Sequence, residues 1–222
     1  MRKWVTILFS VLTLPAFSND AKIVTELNKA NSPEYLSGIE KDILNEINLF
    51  RSNPAKYADT YITPLTKYYL GNILHYPGKK PIKTHEGVKA LEECVRILKN
   101  TSPLPILYPS EGLSKAANDH VRDQSDTGKT GHKGSDHSGF KERIERYGEW
   151  ELRIAENIAY GGSSPREIVI LLLIDDGVRD RGHRNTFLHP DLKTIGISYG
   201  PHPKFETMCV MDFAGSFKEK GK

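Results

Sequence analysis

Apolar residues recur at helical spacing in five stretches of this chain, and the period changes to alternation only near its end. Ile43, Ile47 and Phe50, with Leu44 widening the face, predict a first amphipathic helix. Asn53-Pro54 bends or ends it, and Ala55 to Tyr61 adds another turn or two. Val88, Leu91, Val95 and Leu98 predict a second helix, closed by Asn100-Thr101-Ser102-Pro103. A short extended piece, Leu104 to Tyr108, leads to a third helix from near Ser110, with Leu113, Ala116, Ala117, His120 and Val121 on its inner stripe. Phe140, Ile144 and Tyr147 mark a fourth, stopped by Gly148. Ser164-Pro165-Arg166-Glu167 combines an N-cap, a proline at the first helical position and a capping-box glutamate. The helix it opens runs through Ile168 to Ile174 and ends before Gly177.

Beyond it, Ile195, Ile197 and Tyr199 alternate, and Phe205, Thr207, Cys209, Met211 and Phe213 alternate again. Gly200-Pro201-His202-Pro203 reads as the turn of an antiparallel hairpin. Helices first and strands late argue for an α+β fold rather than a parallel sheet of βαβ units. Residues 62–86 hold Pro64, Pro77, Pro81 and several tyrosines without a clear period, and read as an irregular insertion. Its tyrosine-rich part, Tyr57 to Tyr76, fits a binding surface or a packed lid equally well.

The N-terminus reads differently. Arg2 and Lys3 precede an apolar run from Trp4 to Phe17, and Ala16-Phe17-Ser18 offers a cleavage site before Asn19. That is the three-part pattern of a signal peptide over residues 1–18. The run is shorter than the roughly 20 apolar residues a membrane span needs, and no later segment is long enough either. A polar leader, residues 19–39, then enters a domain over 40–218, and the chain is expected to be secreted or periplasmic. Without Arg2 and Lys3, 29 of the 31 basic residues remain against 28 acidic ones, interspersed along the chain, which gives no footing for nucleic-acid binding. Cys94 and Cys209 are the two cysteines; an exported protein can join them, and buried thiols can equally stay free.

Polar groups gather in four places: Gly131 to His137, Ala155 to Gly162, Asp175-Asp176-Gly177, and Arg181 to Asn185. None is a His-Glu-x-x-His zinc helix, a Gly-x-Ser-x-Gly elbow or a phosphate-binding loop. His120 lies on an apolar stripe and is expected to be packed, His189 before Pro190 to cap a turn, and Arg184 to sit at the surface or a cleft rim.

In order and spacing these pieces resemble the CAP superfamily (cysteine-rich secretory, antigen 5 and pathogenesis-related-1 proteins) in its bacterial form, over Glu40 to Phe217. The resemblance is carried by Glu46 to Pro54, Leu113 to His120, Arg143 to Gly148, Ala155-Glu156-Asn157-Ile158 and Gly182-His183-Arg184. It implies a three-layer α-β-α sandwich and a cleft of two histidines and two acids. These fall on His132, with His137 as its rival, on Glu156, on His183, and on Asp175 or Asp176, where many members have a glutamate. It also implies that His132 and His183 can hold a divalent cation, zinc first among them. Neutral imidazoles suit such an ion, and nearby carboxylates can orient them.

Three functions follow from such a cleft. The first is a binding module for a small apolar ligand, a lipid or an extracellular protein. The second is a metal-dependent hydrolase, a peptidase, with Glu156 as general base and Asp176 in support. The third is a structural envelope protein without chemistry. Two protein ligands are fewer than the three usual at catalytic zinc, and no serine or cysteine stands poised as a nucleophile, so the balance leans away from an enzyme.

Overall fold

A computed structural model describes residues 33–221 apart from 77 and 79, so the signal-peptide reading of 1–18 and most of the leader lie outside the described residues. Helix α1, Gly38–Ser52, starts at a capping box in which the Ser37 backbone N–H donates to Glu40 Oε2 at 2.7 Å. It begins two residues before the expected domain edge. Ile43, Leu44, Ile47 and Phe50 on its inner face are fully buried.

Asn53 then accepts from Lys56 N–H and Pro54 opens a short helix α2, Pro54–Tyr57. It runs on through a π turn, Ala58–Ile62, and a 3₁₀ segment, Thr63–Tyr68. The insertion is more regular than its sequence: β1 (Tyr69–Leu70), β2 (Ile73–Leu74) and β3 (Ile82–Lys83) form a small antiparallel sheet.

Helix α3 is Val88–Lys99. The extended piece after it pairs only at β4, Tyr108–Pro109. Helix α4, Glu111–Thr127, is capped by Ser110 and ends at Gly128 in the left-handed conformation. Helix α5, Phe140–Tyr147, runs directly into β5, Gly148–Tyr160. That strand was not anticipated, and it places a long strand before the last helices. Helix α6, Pro165–Ile174, has the expected Ser164 cap, but the Glu167 carboxylate accepts from the Ser163 N–H rather than from that of Ser164. A short helix α7, Gly182–Phe187, also escaped the sequence pattern.

Strands β6 (Thr194–His202) and β7 (Glu206–Glu219) form the expected hairpin. Its turn, Pro203-Lys204-Phe205, begins three residues later than the sequence suggested. Gly200, Pro201 and His202 stay in the ladder, opposite Met208, Thr207 and Glu206, because the proline nitrogen needs no ladder partner there.

The main sheet has the order β4-β6-β7-β5, so β5 is an edge strand. Alternation along β7 divides the molecule. Cys209, Met211 and Phe213 join Ile195 and Ile197 in one core with α1, α3 and α6. Met208, Val210 and Ala214 face the other way, toward Ala117, Val121, Leu113 and Ala116 of α4. The result is the α-β-α sandwich. Gly196 is what lets α4 lie so close: a Cβ there would stand 2.0 Å from the Leu113 carbonyl carbon. Cys94 and Cys209 are free, buried thiols in the larger core, and burial pushes the Cys94 thiol up to about 12, far from reactive.

Candidate functional site

Strand β5 presents consecutive residues to opposite helical layers. Glu156 pairs in register with Asp212 and shares the α4 face with Ile158, opposite Val210; Asn157 points the other way, paired with Met211. Each of the two receives one of the histidine-bearing loops.

On the α4 face, His132 Nδ1 lies 2.8 Å from Glu156 Oε1. The imidazole is about half exposed, with 52% of the side chain accessible, while the Glu156 carboxylate is fully buried. Arg143 donates to Glu156 Oε2 at 2.6 Å and to the carbonyl of His132 at 3.2 Å, so one guanidinium holds both the acid and the loop. Tyr160 completes the mounting: its hydroxyl accepts the Gly131 N–H and donates to Gln124 Oε1, each at 2.8 Å.

On the opposite face, His183 Nδ1 lies 2.6 Å from Asp175 Oδ1, and the same carboxylate accepts the backbone N–H groups of His183 and Arg184. Asp175 occupies the left-handed cap of α6 at φ 56°. That bend turns its carboxylate away from the helix it closes and onto the first turn of α7, where acid is favourable. Asn157 Nδ2 donates to the His183 carbonyl at 3.1 Å and ties this loop to the edge strand. The Asp175-or-Asp176 alternative is thereby resolved in space: Asp176 accepts the N–H groups of His85 and Glu86 at 2.6 and 2.9 Å, anchoring the insertion instead. At the same corner Gly177 meets His85 so closely that a Cβ would lie 2.7 Å from the ring.

The other histidines fall outside both pairs. His137 is exposed, in a left-handed turn at φ 69°. His120 is fully buried, with Nε2 2.8 Å from the Gly131 carbonyl. His189 Nδ1 accepts from Asp191 N–H, capping a turn. Arg184 corrects the sequence expectation. It is 2% exposed rather than at a rim, because the left-handed cap leaves the Leu173 and Ile174 carbonyls unpaired and its guanidinium fills them while also meeting Glu93.

Sequence reasoning missed the residues behind the first pair. Arg143 was visible only as a motif letter, and Asp212 gave no signal inside an alternating apolar strand. Asp212 is fully buried beside Glu156, with no donor aimed at either oxygen among the described residues. Burial, then the neighbouring Glu156 charge, holds its carboxyl well above the usual carboxylate range.

Chemically, both pairs do the same thing. A carboxylate oxygen within hydrogen-bond distance of Nδ1 favours the proton there, which would leave Nε2 as the nitrogen able to bind a metal ion. Among the described residues no three His, Cys, Asp or Glu side chains gather as a ready metal site. The Glu156 carboxylate is fully buried and each oxygen already has a partner, so the expected general base does not face solvent.

An α-β-α sandwich with two carboxylate-held histidines mounted on one edge strand defines the class of protein. The profile of the cysteine-rich secretory protein family matches residues 44–213, and the chain belongs to that family. Two solved structures show similarity. An extracellular protein containing an SCP domain from Bacillus anthracis str. Ames is 20% identical, with a TM-score of 0.42 over 56% of this chain. This chain spans little more than a third of that protein's length, 37%. An outer surface protein of Borrelia burgdorferi is 18% identical, with a TM-score of 0.41, covering 58% of this chain and 89% of its own. No curated protein matches the sequence. Among the described residues no helix is long and apolar enough to cross a membrane.

Proposed function

We propose that this chain is an exported binding module, secreted or periplasmic, whose edge strand β5 takes an extracellular ligand: a small apolar molecule, a lipid or a protein. His132 and His183 would hold a divalent cation there, zinc by donor type. One observation carries the reading: each imidazole is met at Nδ1 by a buried carboxylate, with no hydrogen bond at Nε2 among the described residues. Such carboxylate support is what metal-binding histidines use. Two nitrogen donors leave the remaining positions to water or ligand, which suits a bridging or stabilising ion better than a closed structural site.

The hydrolase reading is weaker. A general base must reach a water, yet Glu156 spends one oxygen on His132 and the other on Arg143, and Asp176 is committed to the backbone of His85 and Glu86. For a small apolar ligand, a hollow of about 340 Å³ between the 3₁₀ segment and α3, lined in part by Leu91 and Val95, has the size of a modest binding site.

Zinc titration of the full chain by calorimetry tests the proposal. The expected result is one zinc per chain, weakened at least about tenfold in His132→Ala and in His183→Ala. Absence of zinc binding to the native chain, or binding untouched by both substitutions, overturns it. Turnover of a peptide library that is lost in Glu156→Gln would replace it with the hydrolase reading.

A further inference from the structure

The insertion carries a surface that the histidine site does not use. From residue 60 to residue 85 the sequence has four lysines, four tyrosines and no aspartate or glutamate. The small sheet sorts these residues by face. Tyr69, Leu74 and Ile82 alternate inward, with Leu74 buried and Tyr69 packed on the larger core. Leu70, Ile73 and Lys83 alternate outward. Leu70 and Ile73 are direct cross-strand partners flanking the Gly71-Asn72 turn, and Ile73 is in turn paired with Lys83. Leu70 is 74% and Ile73 40% exposed, an unusual outlay for large aliphatic side chains placed side by side.

Within the insertion itself, residues 60–85, the charge has one sign. Lys67, Lys80 and Lys83 are exposed, and none has a carboxylate partner among the described residues; Lys67 lies 5.0 Å over the Tyr68 ring. The sheet is firmly mounted. Thr84 N–H donates to the Asn72 carbonyl, and Asp176 clamps the following His85 and Glu86 N–H groups. A fixed pair of aliphatic side chains accompanied by unpaired lysines is complementary to an interface that is negative outside and apolar beneath. Aliphatic groups enter the acyl boundary and lysines meet anionic headgroups.

We propose that the outer face of the β1-β2-β3 sheet docks on an anionic lipid bilayer, with Leu70 and Ile73 inserting and Lys67, Lys80 and Lys83 meeting the headgroups. The docking is peripheral and reversible, since two side chains and three charges give modest affinity, and it needs no cation.

Co-sedimentation of the full chain tests this, using vesicles of phosphatidylglycerol and phosphatidylcholine in equal parts against phosphatidylcholine alone, with chelator throughout. The native chain is expected to bind the anionic vesicles selectively and to be released by salt. Leu70→Ser/Ile73→Ser should lose the binding, and Lys67→Gln, Lys80→Gln and Lys83→Gln should each weaken it about fivefold. Circular dichroism and zinc affinity should stay native in these surface variants, which separates this outcome from any failure at the histidine site. Equal binding to neutral vesicles, or no binding to anionic ones, overturns the proposal. Binding that survives Leu70→Ser/Ile73→Ser overturns it as well and assigns the affinity to the apolar run at residues 4–17. A dimer in sedimentation velocity that dissociates in the same double variant overturns it in favour of a second copy of this chain on that face.

Discussion

Asp212 stands directly opposite Glu156 in the β5–β7 ladder, so two carboxyl groups share one buried spot behind His132. Only one is matched by a cation, since Arg143 donates to Glu156 and not to Asp212. Burial beside that charge therefore favours the protonated form of Asp212 in the folded state. The unfolded chain releases that proton above the ordinary aspartate value of 3.8, so the native state binds more protons and stability falls as pH rises from there. Asp212→Asn mimics the neutral acid and removes this slope. Urea unfolding at pH 5 and pH 8 should show the variant gaining most over the native chain at pH 8; a parallel loss at both values would show that Asp212 acts only through packing.

The Arg143–Glu156 pair is closed to water on both sides, with side-chain exposures of 2% and 0%. Removing the guanidinium alone strands a buried carboxylate, and Arg143→Met should cost about 3–5 kcal/mol in urea unfolding. The double variant Arg143→Met/Glu156→Met should recover most of that loss, because the uncompensated charge disappears. A double variant no more stable than Arg143→Met would show that the hydrogen bonds to the His132 loop, rather than the charge, are what matter.

Adjacent aspartates should separate cleanly. Asp175 orients His183, so Asp175→Asn is expected to weaken zinc by about 10–100-fold. Asp176 holds only the backbone of the insertion, so Asp176→Asn should leave zinc affinity unchanged while speeding hydrogen exchange at His85 and Glu86. Equal zinc affinities in the two variants would remove Asp175 from the site.

Arg181 bonds to Glu86 and Glu93 and holds both carboxyls down to about 2. Their folded values lie below the ordinary 4.5, so the stability they bring is present above that value and is lost as pH falls toward 2. Thermal melts between pH 5 and pH 3 should fall more steeply for the native chain than for Arg181→Gln. Both carboxylates are about one third exposed, so salt should shrink the difference.

Arg51 fixes the loop before β6 to α1 by donating to the carbonyls of Pro105, Phe187 and Leu192 at 2.8, 2.6 and 3.1 Å. A lysine has one point charge where the guanidinium has a planar fork. Arg51→Lys should therefore cost about 2–4 kcal/mol in urea unfolding, with buried carbonyls left unpaired.

Much of this was legible along the chain. The 3.6-residue stripes of α1, α3, α4 and α6 and the alternation of β6 and β7 are local patterns, written by burial on one face. The caps at Ser110 and Ser164 are likewise local chemistry. The motif letters around His132, Glu156 and His183 identified the family before any coordinates. Strand β5 went unread although Glu149 to Ile154 alternates charged and apolar residues; a register shift between Glu151 and Ile154 leaves Leu152 exposed, and Glu156-Asn157 then breaks the alternation. The helix α7 is too short for a periodic signal, and its pairing with Asp175 depends on a left-handed residue that side-chain type does not announce.

The sequence by itself determined which stretches are helices, which face of each is buried, and which residues belong to the histidine motifs, because those follow from spacing within one segment. Only the tertiary structure decided the partnerships. Asp175 rather than Asp176 holds His183, Arg143 and Asp212 stand behind Glu156, and Arg184 is buried. Each of these is a contact between groups from 8 to 56 residues apart, set by strand register and one left-handed turn, and a periodic pattern has no term for either.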